Sequence, residues 1–268
     1  MSMTHEFERA SAHVKSSLAR FGPISLAEME NVKLLDRTDT KYVMRVSQLE
    51  HTLQQIVGHY RVLYVNGTCL NHYQTLYFDT SDFALYRQHH NGLRVRYKVR
   101  IREYVESDLA FWEVKRKTNQ NHTVKFRLPT PAIVPAVDAR ADQFVGAHMP
   151  LDPHLLRPKL WNRFLRVTLV SQDDSERLTL DVNLEFGWGD AYGALPGIAI
   201  AEVKQARFSP HSSFMQAMRE LGIQPERFSK YCAGVYMLYE HVKTNNFKRR
   251  MRLVERLMQE EWTNECAR

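Results

Sequence analysis

The sequence predicts an α+β fold in which about eight mostly antiparallel strands close on themselves, flanked by helices. Three observations lead there. Apolar and charged residues alternate with a period of two in run after run, and successive side chains on a strand point to opposite faces. The connections between these runs are mostly short, as antiparallel pairing allows. The chain also lacks a Gly-rich phosphate loop and a βαβ rhythm, which argues against a doubly wound nucleotide fold.

The elements follow in order. Phe7, Val14 and Leu18 are spaced for a short entry helix in the first 20 residues. Arg37, Asp39 and Lys41 alternate into a strand through Tyr42 to Met44. Ser47 and Glu50 have capping-box spacing and predict a helix through Val57. Strands are expected at 60–65, 73–78, 93–104, 109–117 and 122–128. Segment 129–158 holds Pro129, Pro131, Pro135, Pro150, Pro153 and Pro158 and reads as a connector with one short helix near Ala139 to Val145. Strands resume at 161–170, 177–186 and 197–204, and Ser209-Pro210 opens a helix that stops at Gly222. From about residue 230 the tail is helical. The chain, 1–268, is expected to be one domain, with a core at about 30–240 and a helical extension at about 241–268.

The period is clearest between Leu93 and Arg102. Arg94, Arg96, Lys98, Arg100 and Arg102 share one face, and Leu93, Val95, Tyr97, Val99 and Ile101 share the other. Neighbouring charges on that face stand about 7 Å apart and repel, so the column calls for a polyanion. Taken alone, such a face is ordinarily a solvated sheet surface. It is not alone. Phe111, Glu113, Lys115 and Lys117 share a face, as do Lys125 and Arg127, Arg177 and Asp181, and Glu202 and Lys204. Arg163 sits in an aromatic context beside Trp161 and Phe164. If the apolar faces pack outward against helices, the charged faces line a basic bore suited to an extended phosphate chain. A few carboxylates there could hold a divalent metal, although for Glu202 a salt bridge to Lys204 or an arginine is an equal reading.

Composition sets limits. The net charge of +7 favours an anionic partner without naming it. Cys69, Cys232 and Cys266 have no metal spacing and cannot all pair, which fits a reduced, cytoplasmic setting. No apolar stretch is long enough to span a bilayer, so a role at a membrane, as a peripheral protein, would need a membrane-protein partner. RNA would suit the charge, but the sequence lacks the stacking positions of an exposed nucleic-acid platform.

Six short motifs occur in a fixed order: Asp36-Arg37-Thr38-Asp39-Thr40-Lys41-Tyr42, Tyr77-Phe78-Asp79-Thr80, Lys98-Val99-Arg100-Ile101-Arg102-Glu103-Tyr104, Phe111-Trp112-Glu113-Val114-Lys115-Arg116-Lys117, Ala201-Glu202-Val203-Lys204 and Arg227-Phe228-Ser229-Lys230-Tyr231. Together they resemble the VTC domain, the polyphosphate polymerase module of the triphosphate tunnel metalloenzyme (CYTH-like) superfamily, over about residues 30 to 240. The resemblance implies an eight-stranded antiparallel tunnel. It implies catalytic roles for Arg100, Arg102, Lys115, Arg163 and Arg177, substrate binding by Lys41, Lys98, Lys125, Arg227, Ser229 and Lys230, and a metal, Mn²⁺ or Mg²⁺, on Glu202. Arg227 stands where the family's polymerase has a lysine, which keeps the charge and changes the geometry.

One departure bears on the reaction. Tunnel hydrolases carry Glu-x-Glu-x-Lys on the first strand, whereas this chain has Arg37-Thr38-Asp39-Thr40-Lys41. With one carboxylate fewer, a two-metal site that activates water is less supported. The resemblance therefore implies transfer of the γ-phosphoryl group of ATP onto an inorganic polyphosphate chain. The alternatives are hydrolysis of triphosphates or polyphosphates on the same fold, and a non-enzymatic polyphosphate- or RNA-binding module.

Overall fold

Strands in which one face is apolar and the other charged must bury both faces differently, and the whole architecture follows from that demand. In the computed structural model, which describes residues 3–30, 38–120 and 122–266, eight strands pair in one path. In chain order these are β2 (Thr38–Arg45), β4 (Asn71–Asp79), β5 (Arg96–Tyr104), β6 (Leu109–Lys117), β7 (Thr123–Thr130), β8 (Arg157–Ser171), β9 (Glu176–Trp188) and β11 (Ile198–Gln205). Their order across the sheet is β2-β11-β9-β8-β4-β5-β6-β7, and every pairing on the path is antiparallel. Three short strands lie off it. The strand β1 (Gly22–Ile24) pairs in parallel with β3 (Tyr60–Leu63), β3 joins β8, and β10 (Ala191–Leu195) joins β9.

The outward faces are covered by helices. Val14 and Leu18 of α1 (Met3–Leu18) and Leu49 and Leu53 of α3 (Val46–Ile56) pack with Phe214 and Met218 of α6 (Ser213–Glu220). Their common partners are Tyr42, Met44, Leu178, Leu180, Ala201 and Val203, the outer residues of β2, β9 and β11. On the other side, Ala141 and Val145 of α5 (Ala139–His148) cover Leu76, Val99, Ile101, Trp112 and Val114. Two short helices, α2 (Leu26–Glu30) and α4 (Ala84–His90), complete the N-terminal half.

A third cluster differs in kind. Val43, Tyr77, Phe164 and Ile200 lie on the same strand faces as Lys41, Thr75, Arg166 and Glu202, two residues away in each strand. They pack on Tyr231 and Val235 of α7 (Lys230–Leu238), with Met251 and Val254 of α8 (Asn245–Cys266) behind. So α7 fills one end of the space that the sheet curls around. Gly234 permits the close fit: a Cβ there would lie 2.8 Å from Phe186 Cδ1 and 2.9 Å from Leu160 Cδ2.

Several expectations need correction. Among the described residues no backbone pairing joins β2 to β7, so side chains and α7 complete the enclosure that the closed sheet was expected to make. The helix α3 does not use Ser47 and Glu50 as its capping box. Gln48 Oε1 accepts from Arg45 N at 3.0 Å, while Ser47 is held by the Glu261 carboxylate of α8. The helix α6 is capped by Ser212, whose Oγ accepts from Met215 N, rather than by Ser209. Strand β5 begins at Arg96, so Leu93 to Val95 precede it. The alternation at Arg37 lies outside the described residues.

Candidate functional site

The inward faces of the strands bring most of the expected residues together. On β5, Lys98, Arg100 and Arg102 point inward between the buried Tyr97, Val99 and Ile101. Register sets Lys115 opposite Lys98 and Glu113 opposite Arg100, and it sets Lys125 and Arg127 beside them on β7. Across the enclosure, Lys41 on β2 pairs in register with Glu202 on β11, and Glu202 pairs with Thr179 on β9. The start of α7 brings Ser229 and Lys230 to the same space.

Three acids organise these cations. Glu113 is fully buried and takes Arg100 at 2.6 Å, Arg127 at 3.0 Å and Lys125 at 3.3 Å. Burial alone would raise its pKa, but Arg100, Arg102, Lys125 and Arg127 hold the carboxylate well below its usual range. Asp181 accepts a two-point grip from Arg166, Nε at 2.6 Å and Nη2 at 2.7 Å, and a further bond from Lys230. Its carboxyl is likewise held low against the pull of burial. Glu202 carries Lys41 at 3.2 Å on one oxygen and Lys204 at 2.9 Å on the other. Lys204, Lys41 and Lys115 together hold it well below its usual pKa.

The supply of acid is too small for the supply of base. Lys98 donates to Ser229 Oγ at 2.9 Å and has no carboxylate partner among the described residues. Lys115 has no hydrogen bond or ion pair among them, although it feels the charge of Glu202. Burial pushes the Lys98 ammonium down to about 8 and those of Lys115, Lys125 and Lys230 down to about 7. For Lys125 and Lys230 burial and neighbouring cations outweigh the attraction of Glu113 and Asp181. The wall around Lys98 and Lys115 is therefore a half-buried positive region short of counter-charge.

The remaining expected residues sit apart. Arg177 shares its strand face with Thr179 and Asp181, and its Nη2 donates to Met29 O at 3.2 Å. Arg227 is exposed at the far end, near enough to Arg96 and Lys117 to weigh on both. Arg163 corrects the sequence reading outright. It is exposed on the outer face, over the Trp161 ring at 4.8 Å and 3.3 Å from Gln74 Oε1. The inward arginine of β8 is Arg166, three residues on and so on the opposite face. Arg166 is not among the residues expected in the site from sequence, and Asp181, Glu113 and Lys204, expected on the bore-lining faces, have no individual role assigned there. The signal for Arg166 was its parity with Phe164, but both faces of that run are mixed, so parity alone did not say which was inner.

A hard divalent cation such as Mg²⁺ commonly takes one or two carboxylates and completes its shell with water and substrate phosphates. Among the described residues no group of three His, Cys, Asp or Glu side chains could enclose a metal by itself. Glu202 fits the one-carboxylate arrangement, because each of its oxygens meets a flexible lysine. Asp181 fits poorly, since Arg166 grips both oxygens, and so does Glu113, with cations crowding both of its own.

An antiparallel sheet curled around a basic interior, with helices outside and one helix filling an end, is the architecture that carries the site. The VTC domain model matches residues 36–239, and the chain belongs to the VTC domain family. Three solved structures are similar at low identity. HpAC1 from Hippeastrum, described as an adenylyl cyclase candidate with a dominant triphosphatase activity, aligns with TM-score 0.48 and 16% identity, covering 74% of this chain and 94% of its own. The protein PH1819 from Pyrococcus horikoshii OT3 aligns with TM-score 0.42 and 13% identity, covering 72% and 96%. A conserved hypothetical protein from Pyrococcus furiosus aligns with TM-score 0.42 and 10% identity, covering 73% and 99%. No curated protein matches. No described helix is long and apolar enough to cross a membrane.

Proposed function

We propose that the protein transfers the γ-phosphoryl group of ATP onto a growing inorganic polyphosphate chain inside the basic bore. The observation that carries this reading is the pair of under-neutralised lysines, Lys98 and Lys115, lying between the Arg100–Glu113 pair and Glu202. A buried cation without a counter-ion is costly, and a phosphate chain would supply the missing charge.

The acceptor in this reaction is already an anion, so the main tasks are alignment and neutralisation of charge along an in-line path. Arg100, fixed by Glu113, and Arg102, whose Nε lies 3.4 Å from Thr75 Oγ1, would grip the transferred group. Arg166, oriented by Asp181, takes the role that the sequence reading gave to Arg163. Lys98, Lys115 and Lys230 would neutralise the chain as it lengthens, with Ser229 holding Lys98 in place. Arg177, Lys125 and Arg227 extend the positive path. Lys41 and Lys204 flank Glu202 and would release it to Mn²⁺ or Mg²⁺ when phosphates take up their charge. The metal would supply Lewis-acid neutralisation of the phosphate oxygens.

The test is to incubate the purified protein with ATP and Mn²⁺ or Mg²⁺ and resolve the products by size. Chains longer than the triphosphate are expected. Free phosphate without chain growth would instead assign the bore to hydrolysis.

A further inference from the structure

The inner wall changes character at one end. On β5 the inward residues run Lys98, Arg100, Arg102 and then Tyr104. On β6, Phe111 stands in register with Arg102, one inward position beyond Glu113. The rings of Tyr104 and Phe111 meet edge to face at 6.1 Å, and Tyr73 meets Tyr104 at 5.0 Å. Arg127 lies over both outer rings, 5.8 Å from the Tyr104 centroid and 5.4 Å from that of Phe111. The far end, by contrast, gathers Arg96, Lys117 and Arg227.

Phosphate has no face to stack, so a wall that read phosphate alone would have no use for this collar. The placement of Arg127 is specific. Its Nε is committed to Glu113 at 3.0 Å and its Nη2 to the Tyr104 hydroxyl at 2.8 Å. What remains on offer is mainly the flat guanidinium face, on a side chain 42% exposed. A fixed, half-exposed guanidinium beside two half-buried aromatic rings is a stacking surface for a flat heterocycle.

We infer that the collar of Tyr104, Phe111 and Arg127 binds the nucleobase of the nucleoside triphosphate donor, with the triphosphate directed inward past Arg102 and Arg100. The inference rests on the proposed phosphoryl transfer from ATP and adds the group that recognises the donor's organic half. Recognition is by faces rather than edges, so the site takes any nucleobase.

Equilibrium binding of ATP and of inorganic tripolyphosphate to the full chain separates the two halves of the ligand. Phe111→Ala and Tyr104→Ala are expected to weaken ATP relative to tripolyphosphate by roughly 5- to 150-fold, the range of one base stack. Phe111→Tyr, which keeps a ring, is expected to keep the wild-type ratio. An unchanged ratio in both alanine variants overturns the inference, and so does equal weakening of both ligands, which marks a structural role. A wild-type protein that binds neither ligand overturns the proposed function as well, which distinguishes the two failures.

Discussion

Two neighbouring regions of the inner wall are built from the same residue types and behave in opposite ways. Around Glu113, Arg100, Lys125 and Arg127 are drawn onto one carboxylate, and Arg100 is held above its ordinary pKa by that charge and by Tyr77 despite its burial. One inward position away, two residues along each strand, Lys98 and Lys115 meet no such acid, and burial lowers both. The difference separates scaffold from receptor. On the proposed function, neutralised cations hold the strands in place and under-neutralised ones meet the phosphate chain.

The comparison can be broken from either side. Glu113→Gln should have the largest effect on stability, because it leaves several buried or half-buried cations without their anion. Loss of about 3–5 kcal/mol is expected, read by chemical denaturation, with part recovered on adding tripolyphosphate. Were Glu113→Gln neutral, the scaffold half of the contrast would collapse. Lys98→Met and Lys115→Met should do the reverse. Stability should hold or rise slightly, while tripolyphosphate affinity at low salt drops roughly 10- to 100-fold for loss of one charge-assisted contact. Titration calorimetry on each variant decides this, and undiminished affinity would remove both residues from the receptor.

The smallest effect sharpens the contrast between inner and outer faces. Arg163→Ala should change stability by no more than about 0.5 kcal/mol and leave triphosphate binding untouched. Arg166→Ala strips Asp181 of its two-point partner and should cost several times more, with loss of binding. Equal outcomes for the two variants in parallel melting and binding curves would contradict the assignment of faces.

Much of this was legible in the sequence, for a physical reason. Period two survives wherever one strand face is apolar, and β5 and β6 show it without interruption, so their inner residues follow from parity. The eight strands of the main path were all anticipated. The short strands β1 and β10 and the helices α2 and α4 were not, because each is too brief to show a period. Arg163 and Arg166 were exchanged because β8 is mixed on both faces, with Trp161 and Leu165 outward and Phe164 inward. Capping failed at Ser47 because the competing partner, Glu261, lies more than 200 positions away in sequence. The aromatic collar was missed because Tyr104 and Phe111 lie on different strands, and only register brings their rings together.

The central claim, that half-buried lysines short of counter-charge await a phosphate chain, has a direct measurement. Burial lowers Lys98 to about 8 and Lys115 to about 7, below the ordinary lysine value, so at pH 8 both are partly or mostly neutral. A bound polyanion favours their charged forms and raises those pKa values, so binding must draw protons from solution, and affinity must fall as pH rises above about 7. Calorimetric titration with tripolyphosphate at pH 8, in buffers of different ionisation enthalpy, reads the number of protons taken up. The account predicts net uptake of about one proton or more beyond that of the ligand itself, reduced in Lys115→Met. Binding with no uptake, or with proton release, would contradict it.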